Sequence, residues 1–349
     1  MNKVYQKISE KIINDILQVK PGQSVILYAE IHNVTEPKDP LEEIPFLEDI
    51  AISLRKKKAL PILDISTENL HKRFFEEVDD NHTIQNDIFS IWINGADYFI
   101  DFSWRSNPMF YKSIPEQFMK KYKDMSELYI KEITKKKKKI ILLGTPTKGL
   151  AKYYNIDQDL LIETFYQSID IDYLQLKKKC LIFSGKISQN KNWQIVTKNR
   201  ILQIDLIGKP QSLYGEFQHN PIVTLPTGLW KQNLLSENCN GILFCDYIYH
   251  QEYTWSNVQL IFNEGKIIDI ETEFPQENTK LLKTNLRTQI KSICLNYGLN
   301  ENVRKMSLYP MFDILKFGNL SMTILLEKHE FLLLSQNADL FLREVKAPI

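Results

Sequence analysis

The stretch LPTGLWKQ, residues 225–232, joins an extended apolar run to a Pro-Thr-Gly turn, which would deliver the next side chain to the end of a strand. A side chain so placed could line an active site if it moved a proton or held a metal. The side chain delivered here is Leu229, which does neither. Its neighbours Thr227 and Trp230, with Tyr297 near Cys294 further along, read either as core or as the lining of an apolar and aromatic binding pocket. Histidines are few. His219 and His250 lie in the second half outside HxxxH or HxD spacing, Glu237, Asp246 and Glu252 could gather with His250 at strand ends, and His329 stands between Lys328 and Glu330. Cys180, Cys239, Cys245 and Cys294 are scattered without CxxC spacing, which points to reduced, packed thiols in a cytoplasm and away from a structural zinc site. There is no GxSxG, P-loop or dinucleotide fingerprint to supply another chemistry.

These residues must be positioned by a scaffold, and the chain is long enough for two domains of ordinary size at 349 residues. Its net charge of +1 sets up no global field for nucleic acid or an anionic membrane. The lysine block at 135–139 reads as the solvated end of a helix, where cations oppose the C-terminal dipole. The N-terminus, MNKVYQKISEKIINDILQ, is patterned as an amphipathic helix and not as a signal peptide. No apolar run reaches the roughly 18 residues that span a bilayer.

Helical and strand patterns alternate through the first half. VYQKISEKIINDILQV, LEDIAISLRKKKA and SIPEQFMKKYKDMSELYIKEIT have helical spacing, and SVILYAE, LPILDIS, DYFIDFSW and IILLGTPT read as strands. That order predicts a parallel sheet covered on both faces. From about residue 174 the strands crowd together: CLIFSGK, WQIVTK, RILQIDLIG, PIVTLPTG, GILFCDYIY and VQLIFNEGKIIDIET, with Asn263–Gly265 as a hairpin turn. KLLKTNLRTQIKSICLNYG returns to helical spacing, and SMTILLEKHEFLLLSQNADLFLR is strand-like. The expected fold class is α/β: an N-terminal parallel-sheet domain over residues 1–172, then a β-rich α+β domain over 173–349.

Several stretches also occur in a familiar order: VKPGQSVIL, IILLGTPTKGLAKYYNIDQDLLIETFYQSIDIDY, LPTGLW, NCNGILFCDY, NEGKIIDIE, CLNYGLNENV and DILKFGNLSMTILLEKH. Over nearly the whole chain this resembles the thermophilic aminopeptidases, the M29 metallopeptidase or aminopeptidase T family. The resemblance implies an α/β domain followed by a β-rich domain with a two-metal site, usually in a homodimer. In that family two divalent ions share a hydroxide and polarise the scissile carbonyl, which requires several carboxylate and imidazole ligands.

Carried over by position, the ligand motifs change. Pro226, Thr227 and Gly228 match the first turn, but the glutamate slot holds Leu229. Gly298, Leu299 and Asn300 match the second motif, and its glutamate slot falls on Cys294. The histidine slot after Gly318 becomes Met322. The tyrosine slot falls on His329; if His329 is instead aligned to the closing histidine, the aspartate slot holds Phe331. The resemblance therefore implies a catalytically inactive protein that keeps the cleft, with Thr227, Leu229, Trp230, Cys294, Tyr297, Met322 and His329 as its lining, no catalytic residue and no cofactor. The partner expected is a peptide or protein, with a role in processing a ribosomal peptide as one setting. An alternative is a hydrolase or ring-cleaving dioxygenase on the same scaffold, with zinc or another divalent ion on new ligands such as His250, Glu252 and His329, or a soft copper or zinc site from Cys294, Met322 and His329.

Overall fold

The computed structural model describes residues 2–31, 43–67, 70, 73, 77, 93–102, 114–187, 192–217, 221–250, 253–272, 279–286, 290–307, 309–316, 318–326, 329–336 and 338–342. The chain divides into two units, Met1–Asp170 with Gly215–Pro226, and Ile171–Tyr214 with Thr227–Ile349.

The first unit opens with α1 (Asn2–Lys11), continued by a π-helical segment, Ile12–Leu17. Then come β1 (Ser24–Ile31), α2 (Glu43–Lys56), β2 (Leu60–Thr67), β3 (Tyr98–Asp101), α3 (Glu116–Lys135), β4 (Lys139–Leu143), α4 (Lys148–Tyr154) and α5 (Gln158–Ile169). Val25, Ile26 and Leu27 are consecutive in β1, so they point to both faces of the sheet, and all three are buried. That is the pattern of a parallel strand covered on both sides. Thr147 and Asp157 cap α4 and α5 by accepting from the backbone N–H groups of Leu150 and Leu160. The lysine block is only partly helical: α3 stops at Lys135, Lys137 turns with φ +53°, and Lys139 opens β4 with its ammonium over the rings of Tyr98 and Phe217.

The second unit begins with α6 (Tyr173–Ile187), where CLIFSGK was expected as a strand. Leu176, Cys180 and Ile187 recur at helical spacing and form its buried stripe; the four-residue apolar run is too short to distinguish strand from helix. β5 (Asn192–Thr197) and β6 (Arg200–Leu213) follow as a hairpin. The chain then gives one strand back to the first unit, β7 (Ile222–Leu225), which pairs parallel with β4 and completes the order β2-β1-β3-β4-β7. The sequence pattern groups this strand with those after residue 172, because nothing local reveals its partner.

The remaining elements are β8 (Leu229–Leu234), β9 (Asn240–His250), β10 (Tyr253–Asn263), β11 (Lys266–Thr272), α7 (Thr279–Leu286), β12 (Ser292–Gly298), α8 (Pro310–Asp313), β13 (Leu320–Leu325), β14 (Glu330–Ser335) and β15 (Asp339–Leu342). The hairpin at Asn263–Gly265 closes with positive φ at Glu264 and Gly265. Helical spacing ends at Leu286, so Cys294 and Tyr297 sit on a strand. Ten strands form one sheet in the order β11-β10-β9-β14-β13-β12-β8-β6-β5-β15, and a further pairing of β6 with β9 closes six of them into a ring. Pairing partners face the same side. The inward set includes Trp230, Leu234, Ile293, Leu295, Leu320, Met322, Ile324, Phe331 and Leu333, all in the buried core.

Candidate functional site

Two turns from the second unit lock together next to Leu229. The Gly228 N–H donates to the Leu213 carbonyl at 3.0 Å, and the Gly228 carbonyl accepts from the Leu299 N–H at 2.8 Å. The Asn300 amide donates to the Thr227 carbonyl at 2.9 Å, so Thr227, 3% exposed, serves through its backbone. Gly228 has φ +117°, and a Cβ there would lie 2.8 Å from the Asn300 Cβ; at Gly298 a Cβ would lie 2.1 Å from the Lys316 carbonyl oxygen. The glycines shared by the two quoted motifs therefore allow two backbone segments to touch.

Leu229 is a buried residue. It is 6% exposed and packs with Val303 and Leu315, flanked by Leu213 and Ile314, in a small cluster separate from the main core. Beside it Asp313 is fully buried. One carboxylate oxygen accepts from the Ser307 N–H at 2.7 Å and its hydroxyl at 2.8 Å, the other from the Tyr249 hydroxyl at 3.4 Å, and its carbonyl from the Asn319 amide at 2.8 Å. These donors pin the loop between β12 and β13.

The candidate side chains fall in three places. Leu229 and Cys294 share the outward face, four strand positions apart, about 13 Å at ~3.3 Å per residue. Trp230, Tyr297 and Met322 belong to the inward face. Trp230 and Tyr297 are pairing partners packed against Phe183, with ring centroids at 5.4 and 4.6 Å, and Met322 is 0% exposed. His329 lies at the opposite end, its carbonyl accepting from the Leu326 N–H. The seven candidates thus do not line one cleft.

Between Leu229 and Cys294 the outward face carries residues that motif matching passes over. Lys231 pairs with Asn296 and Asn296 with Ser321, while Cys294 pairs with Asn233 and Thr323. The Asn296 amide donates to the Ser321 and Thr323 hydroxyl oxygens, each at 3.3 Å, and the Cys294 thiol lies 3.8 Å from the Asn296 carbonyl oxygen. Burial raises the Cys294 pKa, although Lys231 and the Gln232 N–H pull it down, so the thiol stays protonated at neutral pH. The signal available in the sequence was period two: counting back from Cys294 and on from Leu229 reaches these positions.

A thiol, an amide, two hydroxyls and an ammonium do not suit a pair of dications, which need several carboxylate or imidazole donors. Among the described residues no three His, Cys, Asp or Glu side chains gather as a metal-holding group. His250 and His329 do meet, with ring centroids 5.0 Å apart. His250 is stacked on Phe331 at 4.2 Å and its Nδ1 lies 3.0 Å from the Glu330 carbonyl oxygen. Asp246 is engaged elsewhere, accepting from the Gln336 N–H at 2.7 Å, and Glu237 sits in the short turn after β8. His219 and Glu252 lie outside the described residues.

A parallel five-stranded sheet with a large, partly closed antiparallel sheet defines a two-domain α/β fold of the aminopeptidase T type. Two solved structures share it. The chain is similar to wild-type AmpT from Thermus thermophilus, with a TM-score of 0.59 at 13% identity, over 94% of this chain and 87% of that one. It is also similar to the 2,5-dihydroxypyridine dioxygenase from Pseudomonas putida KT2440, with a TM-score of 0.56 at 12% identity, over 99% of this chain and 95% of that one. No family model and no curated protein matches the sequence. At these identities the likeness is one of fold. No helix among the described residues is long and apolar enough to cross a membrane.

Proposed function

We propose that this protein is a non-catalytic relative of aminopeptidase T that binds a peptide or protein partner through the second unit. The observation that carries this reading is Leu229: in the slot where the resemblance calls for a glutamate, a leucine is packed against Val303 and Leu315. A carboxylate there would lose its hydration among the aliphatic side chains of Val303 and Leu315, so the substitution belongs to the packing of the turn. The amides and hydroxyls on the outward face support the same reading, because they bind peptide groups and lack the negative charge that holds a pair of dications. Fold likeness to both a peptidase and a dioxygenase sets no chemistry by itself.

The test has two arms. Protein purified without chelator is assayed for bound metal and for release of N-terminal residues from peptides, while peptide binding is followed by calorimetry over a panel with free and blocked termini. The reading expects substoichiometric metal, no cleavage and saturable binding. Stoichiometric divalent metal with turnover would overturn it in favour of a rebuilt hydrolase or dioxygenase site, for which the adjoining imidazoles of His250 and His329 are the observation to pursue.

A further inference from the structure

We infer that the solvent-facing side of α6 is a docking surface for an acidic amphipathic helix of a partner; the inference rests on the partner-binding reading of the second unit given above. The buried stripe of α6, Leu176, Cys180 and Ile187, is committed to the core. Its other side is apolar as well, with Leu174, Leu181 and Ile182 at 70%, 52% and 59% exposure. Leu174, Lys178, Ile182 and Lys186 follow one another at four-residue spacing. They therefore stand on one ridge, roughly 18 Å long at ~1.5 Å per residue, with Leu181 and Gly185 alongside. Single exposed aliphatic residues are ordinary, but three on one side of one helix make a patch.

The charges on α6 select the occupant. The helix carries lysines at 177, 178, 179 and 186 and no acidic residue. Lys179 is paired with Glu301, and Lys177 lies over the Tyr214 ring at 5.8 Å. Lys178 and Lys186, the two on the ridge, are exposed and make no ion pair among the described residues. Aliphatic and ammonium groups thus alternate along the ridge, and a helix with apolar residues and carboxylates at the same spacing complements both. A ridge of four-spaced side chains also fits the groove of a second helix. At Gly185 an added Cβ would meet nothing within 4 Å, so no contact of this chain calls for so weak a helix former there. Its bare backbone lets a partner helix come close. A second copy is a poor occupant, because two-fold pairing would set Lys178 and Lys186 against their own counterparts with no carboxylate on either α6.

The experiment follows the fluorescence anisotropy of labelled helical peptides titrated with the full chain. The peptides share an alanine-glutamine scaffold and carry Leu with Glu, Leu with Lys, or Gln with Glu at four-residue spacing; vesicles of phosphatidylcholine with phosphatidylserine are the membrane probe. The Leu/Glu peptide should bind saturably, weaken as salt rises, and exceed the other probes at least tenfold. Leu181→Gln with Ile182→Gln should weaken it about tenfold while leaving the urea midpoint in place. Lys178→Glu with Lys186→Glu should reverse the preference, so that the Leu/Lys peptide binds better than the Leu/Glu one. Binding that ignores either double variant, or no binding of the Leu/Glu peptide, overturns the inference. Tighter binding to the vesicles than to that peptide overturns it in favour of a membrane surface. The two readings fail separately. Peptides that bind wild type and both α6 variants alike leave the binding function intact and remove this surface. Stoichiometric metal with turnover, in a protein whose ridge still selects the Leu/Glu peptide, does the reverse.

Discussion

Restoring the carboxylate at Leu229 should damage the fold instead of restoring a metal site. Leu229 is 6% exposed among Val303, Leu315, Leu213 and Ile314, and burial of such a side chain contributes about 2 kcal/mol. In Leu229→Glu that contribution is mostly lost, and the acid must either stay ionised among aliphatic groups or take up a proton. Protonation at pH 7 from an unperturbed value near 4.3 costs about 3.7 kcal/mol, which caps the charge penalty. Lys231, two positions along the same face, reclaims part of it, so the expected loss at pH 7 is about 3–5 kcal/mol. Leu229→Gln carries the shape and polarity cost without the charge. The Glu-minus-Gln difference should therefore be near zero at pH 4. It should grow as pH rises through the unfolded pKa and level off above the raised native one. Urea unfolding, followed by the fluorescence of the buried Trp230, measures both variants. A Leu229→Glu protein within about 1 kcal/mol of the parent at pH 7, or one that takes up stoichiometric zinc, would refute the packing argument.

Two further outcomes follow from the titratable groups. Burial pushes the thiols of Cys180 and Cys239 up to about 12, Cys245 higher still, and raises that of Cys294. Ellman's reagent at pH 8 should thus react with at most the partly exposed Cys294 in the native protein and with all four thiols in urea; rapid labelling of two or more native thiols would contradict this burial. In the first unit, burial alone would raise the Asp170 pKa, but hydrogen bonds from Lys7 and Lys11 outweigh it and hold the carboxyl below its usual range. Its contribution is full above the unfolded value and lost as pH falls through the native one. Asp170→Asn should cost about 1 kcal/mol at pH 7 and next to nothing at pH 2, read from unfolding free energies.

How much of this was legible depended on whether the determining contacts were local. The parallel sheet announced itself through β1, where Val25, Ile26 and Leu27 are all apolar because both faces are covered. The hairpin at Asn263–Gly265 was readable because positive φ at Glu264 and Gly265 is a property of the turn alone. α6 was not, since its exposed Leu181 and Ile182 continue the buried Cys180 into an apparent apolar run. The membership of β7 could not be read either, because its pairing with β4 spans some eighty residues. At the site, Gly228, Gly298 and Asn300 were recognisable as a pattern, and the hydrogen bonds between their turns supply the reason. Lys231, Asn296, Ser321 and Thr323 went unnoticed because their association exists only across strands.

Register is what separates the two readings of β13, and it can be tested directly. Offset counting along the sequence puts Met322 in a ligand slot, but successive strand residues face opposite ways, so an error of one position exchanges core for surface. Met322 pairs with Leu295 and Leu333 inside the ring, whereas Thr323 pairs with Cys294 on the outward face. A histidine at 322 would replace a fully buried thioether with an imidazole whose nitrogens lack partners, at a cost of roughly 3 kcal/mol or more. At the half-buried position 323 the same side chain can turn toward solvent, and the cost should stay under about 1 kcal/mol. Met322→His should therefore unfold at clearly lower urea than Thr323→His. The opposite order would place position 322 on the outward face and return it to the candidate metal slot.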